Sequence, residues 1–240
     1  MRVMLTRPRA DSERLATALQ ARGNEVILEP MLDIVPAGPL PSLDGITALL
    51  VTSANGIRTF AALSQRRDLT VYAVGDASAR MARDAGFPHV ESAGGDVTAL
   101  ETLILTKVAP ESSALLHVHG RDVTGDLASA LKSKGYTMRS AVIYEAVAAS
   151  ALSAGTRHQI AEGKIDAILF FSPRTMRTFV TVVQAAGLAD QCERILAICL
   201  SSAVAEAGSA LVWRGVAIAE TPDRAAMLTL CNSVQESRKT

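Results

Sequence analysis

The chain has 240 residues, enough for one large domain or two modest ones with real cores, and its 24 basic and 24 acidic side chains balance. That balance gives no global pull toward nucleic acid or an anionic membrane, and no apolar run is long enough to span a bilayer. The opening Met1-Arg-Val-Met-Leu-Thr-Arg7 lacks a signal peptide's apolar core, and Cys192, Cys199 and Cys231 lack metal-ligand spacing, so a reducing, cytoplasmic setting is expected.

Arg2 to Thr6 reads as a first strand, and Arg7-Pro8-Arg9 turns it into a helix with its N-cap expected at Asp11 or Ser12. Leu15, Ala18 and Leu19 share one helical face, and Gly23 ends it. Val26 to Leu28 is a second strand. Glu29 to Pro36 is extended but bounded by prolines, which confines it to an edge or a connector. The apolar run beginning at Leu49 breaks at Ser53 and restarts with helical spacing, the pattern of buried strand, tight turn and helix. Val71 to Val74 is a strand turned by Gly75 to Ser78 into a helix through Gly86, and His89-Val90 is a short strand. Asp96 caps a helix over Val97 to Val108. Leu115 to Val118 is a strand, Gly120-Arg121-Asp122 its turn, and a helix follows to Gly135. Met138 to Val147 is long and alternating; Asp166 to Phe171, Ile195 to Ile198 and Val216 to Ala219 are further strands leading to helices. Strands alternating with helices call for parallel sheets covered on both faces, an α/β fold. Leu32 to Val35 and Ile143 to Val147 are expected to pair as a two-stranded bridge between lobes that open and close on a ligand.

The chain repeats itself. Leu49 to Phe60 and Ile168 to Phe179 share one grammar, each ending in Arg-Thr-Phe, 119 residues apart. Arg9 to Gly23 returns as Arg121 to Gly135, Val71 to Ala79 as Ile195 to Ala203, and Asp96 to Leu100 as Asp223 to Met227. Four segments recurring in order, at slowly growing offsets, imply two related α/β units.

Familiar catalytic signatures are absent: there is no nucleophile elbow, P-loop or glycine-rich dinucleotide turn. His117 and His119 face one side of a strand but lack a third ligand, so no metal is expected. Asp122 and Asp126 read as residues that cap and solvate one helix start. What remains is a set of small hydroxyl, glycine and arginine residues at strand ends: Thr6, Arg7, Thr52, Ser53, Asn55, Gly75, Ser78, Gly120, Arg121, Ser172, Arg174, Ser201 and Ser202. Each alone is ordinary turn and cap chemistry. Together they offer N–H groups, hydroxyls and guanidiniums to a ligand bearing several carboxylates or phosphates.

Thr6-Arg-Pro8, Thr52 to Gly56, Ala73 to Gly75, Gly95 to Leu100, Gly120 to Asp122, Val142 to Tyr144, Phe170 to Pro173 and Thr221-Pro222, in that order, resemble the uroporphyrinogen-III synthase family. The resemblance implies two flavodoxin- or Rossmann-like lobes joined by a two-stranded antiparallel linker. One lobe is 1–34 plus 148–240, the other 38–141, and the linker strands are about 32–37 and 142–148. It further implies a cofactor-free, cytoplasmic, cyclising lyase. Such an enzyme closes the linear tetrapyrrole hydroxymethylbilane into uroporphyrinogen III, inverting ring D and losing water. The implied protein is a monomer with at most transient contact with the preceding pathway enzyme, and no nucleic-acid or membrane partner.

The family's linker tyrosine falls on Tyr144, which the resemblance casts as helping the terminal hydroxyl leave. A phenol is protonated at neutral pH and suits a donor. Departing water leaves a conjugated cation, which ring D attacks through its substituted carbon to give a spiro intermediate that fragments and recloses. The remaining twelve candidates after Thr6 are substrate-binding residues, with Arg7, Arg121 and Arg174 as carboxylate partners. The family's hydroxyl pair falls on Ser201 and Ser202, while Cys199 stands where the family has glycine, so that turn's backbone approach to the ligand is in question. The alternative is a two-lobed non-catalytic binding or regulatory protein for a small polyanion. A nucleotide-sugar transferase is disfavoured by the missing glycine-rich turn and acidic metal ligands.

Overall fold

The computed structural model describes residues 1–112, 114–122 and 126–237. In chain order the elements are β1 (Arg2–Leu5), α1 (Arg9–Gln20), β2 (Glu25–Leu28), β3 (Leu32–Pro36), β4 (Ile46–Val51), α2 (Ala54–Leu63), β5 (Thr70–Ala73) and α3 (Asp76–Asp84). They continue as β6 (Val90–Ser92), α4 (Val97–Lys107), β7 (Ala114–Gly120), α5 (Leu127–Lys132), β8 (Thr137–Ala148) and α6 (Ala154–Ala161). The chain closes with β9 (Ala167–Phe170), α7 (Pro173–Ala185), β10 (Leu196–Cys199), α8 (Ser202–Glu206), β11 (Gly215–Ile218) and α9 (Arg224–Ser237). Among the described residues no helix is long and apolar enough to cross a membrane.

The chain divides into two compact units, Met1–Asp33 with Val147–Thr240, and Ile34–Ala146, and passes from one to the other within β3 and within β8. The first unit holds a five-stranded sheet in the order β11-β10-β9-β1-β2. Its pairings are all parallel. Side chains alternate across it: Met4, Ile168 and Phe170 pack under α7 and α8, whereas Val3, Leu5 and Leu169 pack under α1 and α9. The second unit's sheet runs β8-β7-β4-β5-β6, with β3 hydrogen-bonded at the β8 edge. Leu49, Val51 and Val118 face α2 and α3, and Leu50, Tyr72 and Leu115 face α4 and α5.

The sequence repeat has a structural counterpart. Matching β1 to β7, β2 to β8, β9 to β4, β10 to β5 and β11 to β6 turns one spatial order into the other. The units share one sheet plan, entered by the chain at different strands. In both, strand order reverses beside the central strand pair, β1 and β9 in one unit and β7 and β4 in the other. In open α/β sheets such a reversal opens a crevice at the carboxyl ends of the strands.

Three local expectations change. Helix α1 starts at Arg9 with Pro8 as its N-cap, not at Asp11 or Ser12; Ser12 is buried and donates instead to Arg7 O at 3.1 Å. Proline's fixed φ enters the helix a turn early. Asp126 caps the short α5, accepting from Ser129 N at 2.9 Å, but Asp122 lies in the turn after β7 and not on that helix. Helix α6 has no counterpart in the sequence pattern. Its N-cap Ser153 gives its N–H and its hydroxyl to the buried Glu29 carboxylate, both at 2.7 Å, and Thr156 adds its hydroxyl at 2.6 Å.

Candidate functional site

In the unit Ile34–Ala146 the order reverses between β4 and β7. Apolar β4 ends at Val51, and Thr52 and Ser53 follow. Ser53 adopts an extended backbone and caps α2, its Oγ accepting from Gly56 N at 3.0 Å. The same oxygen lies 2.8 Å from the Tyr144 hydroxyl. The phenol is buried, 8% exposed, and Ser53 is half-buried beside it.

A shift of register brings Tyr144 there. Along β7 and β8, Val118 pairs with Ala141 and His119 with Val142, but Gly120 pairs with Tyr144, leaving Ile143 extra. With unbroken alternation Tyr144 would fall on the opposite face from Val118; one inserted residue flips it to the α2 side. Its ring then lies directly on Gly120. A Cβ at Gly120 would sit 2.6 Å from the ring, and one at Gly56 would meet Val118 O at 3.1 Å. These two glycines leave the slot that the ring fills. The backbone closes around it too, with Arg121 N donating to Tyr144 O at 3.0 Å.

On the other face of the same edge, Thr52 Oγ1 lies 3.4 Å from His117 Nε2. His117 is 3% exposed, and burial, then the neighbouring His119, pushes its pKa down to about 4, against an opposing pull from Asp126. It is therefore a neutral imidazole at physiological pH. His119 lies beside it with its ring tilted by 32°, centroids 4.7 Å apart, with Nε2 2.8 Å from Ser140 Oγ and Nδ1 2.8 Å from Gly120 O. Among the described residues no group of three His, Cys, Asp or Glu side chains could hold a metal ion.

The other candidates of this unit are spread along the edge. Asn55 accepts from Arg58 within α2. Arg121 is exposed and pairs with Glu145 at 2.8 Å, a surface ion pair that a stronger carboxylate partner can displace cheaply. Gly75 caps α3 in extended backbone after β5. Ser78 is buried on the packed face of α3, because the helix already begins at Asp76.

The unit Met1–Asp33 with Val147–Thr240 builds the same edge from β1, β9 and β10. Thr6 is buried and donates to Leu169 O at 2.8 Å. Arg7 reaches Asp11 at 3.3 Å and lies over the Phe171 ring, 4.9 Å from its centroid. Ser172 caps α7, with Pro173 at its first position; its Oγ accepts from Thr175 N at 3.2 Å and lies 3.0 Å from Thr175 Oγ1. Arg174 follows in the first turn, half-buried. Ser201 is the N-cap of α8 without a side-chain capping bond, and Ser202 is exposed. Cys199 ends β10 fully buried, its thiol pushed up to about 12 by burial.

Arg7, Ser172 and Ser201 thus share the carboxyl edge of one sheet, and Thr52, Ser53, Gly75, Gly120, Arg121 and Tyr144 that of the other. Gly56 and the contact of His117 with the candidate Thr52 are additions that the sequence did not place in a site. Gly56 stands in the quoted Thr52–Gly56 motif, where a glycine early in a helix is the available signal.

Fold and edges define an α/β protein of two doubly wound units, each presenting backbone N–H groups and hydroxyls at the carboxyl ends of its strands. The model of the family described as uroporphyrinogen-III synthase HemD matches residues 13–229, and the chain belongs to that family. Among solved structures it is similar to uroporphyrinogen-III synthetase from Helicobacter pylori 26695, with TM-score 0.63 and 17% identity over 98% of this chain and 100% of that one. It is also similar to a mutant uroporphyrinogen III synthase from Thermus thermophilus, with TM-score 0.48 and 15% identity over 100% of this chain and 99% of that one. At such identities the Helicobacter likeness is one of fold. No curated protein matches the chain.

Proposed function

We propose that this chain is a uroporphyrinogen-III synthase, closing hydroxymethylbilane into uroporphyrinogen III with inversion of ring D and loss of water. One observation carries the proposal beyond family membership: the chain's only tyrosine on β8 meets a helix-capping serine at the reversal point of a doubly wound sheet. The phenol donates to the terminal hydroxyl, which leaves as water with the C–O bonding pair. The cation left behind is attacked by ring D through its substituted carbon, and the spiro intermediate fragments and recloses. The ring proton released on reclosure restores the phenol. Water loss and carbon–carbon bond formation balance without an oxidant or reductant, which supports a cofactor-independent lyase.

Substrate carboxylates are met by the strand-end groups of each unit: Thr52, Asn55, Gly75, Gly120 and Arg121 in one, Arg7, Ser172, Arg174, Ser201 and Ser202 in the other, while Ser78 is packed inside α3 and the Ser53 hydroxyl is engaged with Tyr144. The units act as lobes, 1–34 with 148–240 and 38–141, connected by strands about 32–37 and 142–148. Two hydrogen bonds support antiparallel connectors. Ala37 N–H donates to Ile143 O at 2.9 Å and Ala149 N–H to Met31 O at 3.1 Å, so partner numbers fall on one strand as they rise on the other. The protein works as a cytoplasmic monomer.

The test is the isomer ratio. Freshly made hydroxymethylbilane should give predominantly the type III product with the purified chain and no added metal. Product no richer in type III than the spontaneous type I background contradicts the proposal.

A further inference from the structure

Resting on that reading, we infer that Ser53 is a positioning residue which acts through Tyr144, turning the phenol's proton toward the leaving hydroxyl. Ser53 Oγ has two lone pairs and one proton. One lone pair is taken by Gly56 N–H at 3.0 Å, and the Tyr144 oxygen stands 2.8 Å away. A Tyr144 proton spent on Ser53 cannot serve a substrate. The cap bond polarises the serine O–H in the opposite sense, making it the better donor along the chain Gly56 N–H to Ser53 to Tyr144. In that arrangement the phenol keeps its own proton for the departing hydroxyl. As that proton leaves, the growing charge on the phenolate oxygen is met by a hydroxyl already in place.

Three features make this more than a helix cap. The ring cannot swing to another partner easily, because it is seated on Gly120 with no room for a Cβ between them. The register shift at Ile143 exists on the strand that carries Tyr144 and turns it to the Ser53 face. The corresponding cap in the other unit, Ser172, has its hydroxyl 3.0 Å from Thr175 of its own helix, so a serine cap at this turn does not need a tyrosine. The Ser53–Tyr144 contact is therefore additional to capping, and it joins residues 91 apart in sequence.

Variants of Ser53 separate positioning from capping. Glycine caps nearly as well as serine but has no hydroxyl, whereas threonine keeps both. Ser53→Ala and Ser53→Gly should lower kcat for type III product by on the order of tenfold to a hundredfold, the scale of a lost hydrogen bond to a developing charge, with KM moved little. Ser53→Thr should restore most of kcat. The second readout is free of turnover: the 13Cζ resonance of Tyr144, assigned among Tyr72, Tyr136 and Tyr144 by its absence in Tyr144→Phe, should shift in Ser53→Gly and return in Ser53→Thr. If wild type makes type III product while Ser53→Gly keeps its kcat and leaves the Tyr144 resonance in place, Ser53 is only a cap and the inference is overturned. If wild type makes only type I product, the proposed function falls and takes this inference with it.

Discussion

In one unit Ser53 caps α2 and holds a phenol carried in on β8; in the other Ser172 caps α7 and its hydroxyl is engaged with Thr175. The sheet order is equivalent and the Arg-Thr-Phe ending is shared, so the turn itself is common property. What differs is the neighbouring strand. At the repeat spacing of 112 residues the partner of Tyr144 is Leu32, and that of Gly120 is Pro8. One unit thus lacks both the phenol and the gap for it. On the proposed function, both doubly wound sheets offer the ligand an edge of N–H groups and hydroxyls, while the chemistry depends on one side chain and the space cleared for it.

The largest expected effect comes from filling that space. Gly120→Ala places a methyl group within 2.6 Å of the Tyr144 ring, which must leave its seat and with it Ser53. Type III turnover should fall on the order of a hundredfold, the range of a displaced general acid. Unchanged kcat would mean the ring has another productive position.

The second test is acid. His117 is kept neutral with its pKa down near 4, whereas the unfolded chain binds that proton from about pH 6.5 downward. Native stability is therefore lost as pH falls from about 6.5 toward 4, by about 3 kcal/mol for this group. The other unit's histidine, His158, is 69% exposed. All three tyrosines lie in the His117 unit and the single tryptophan, Trp213, in the other. Tyrosine signals should report loss of structure at higher pH than Trp213 fluorescence, and His117→Gln should bring the two transitions together. Coincident transitions in wild type would deny the asymmetry.

The smallest effect is at the other cap. Ser172→Ala should cost about 1 kcal/mol in urea unfolding and raise KM while leaving kcat within a few-fold. A collapse of kcat like that expected at Ser53 would mean the two turns share the chemistry after all.

Much of the fold was legible because buried parallel strands announce themselves as short apolar runs ending in small polar residues, as at Val51-Thr-Ser53 and Phe170-Phe-Ser172. The repeat even carried the matching sheet order. Helix α6 was not legible, since Ala154 to Ala161 buries only Thr156 and Ile160 and its cap is fixed by Glu29, 124 residues from Ser153. The early start of α1 was hidden because Asp11 and Ser12 are good caps, yet Pro8 sets the entry. At the site, each component stood out as a turn residue, and Tyr144 entered through family resemblance. Their meeting depends on the extra residue at Ile143, and strict alternation along Ser140 to Tyr144 puts the phenol on the wrong face.

In the proposed reaction Tyr144 is the group that lets the hydroxyl go. Single-turnover formation of type III product by Tyr144→Phe, measured with substrate in excess of KM, tests it most directly. The rate should drop at least a hundredfold, with substrate affinity kept within a few-fold and the residual product drifting toward type I. A wild-type rate from the phenylalanine variant would contradict it.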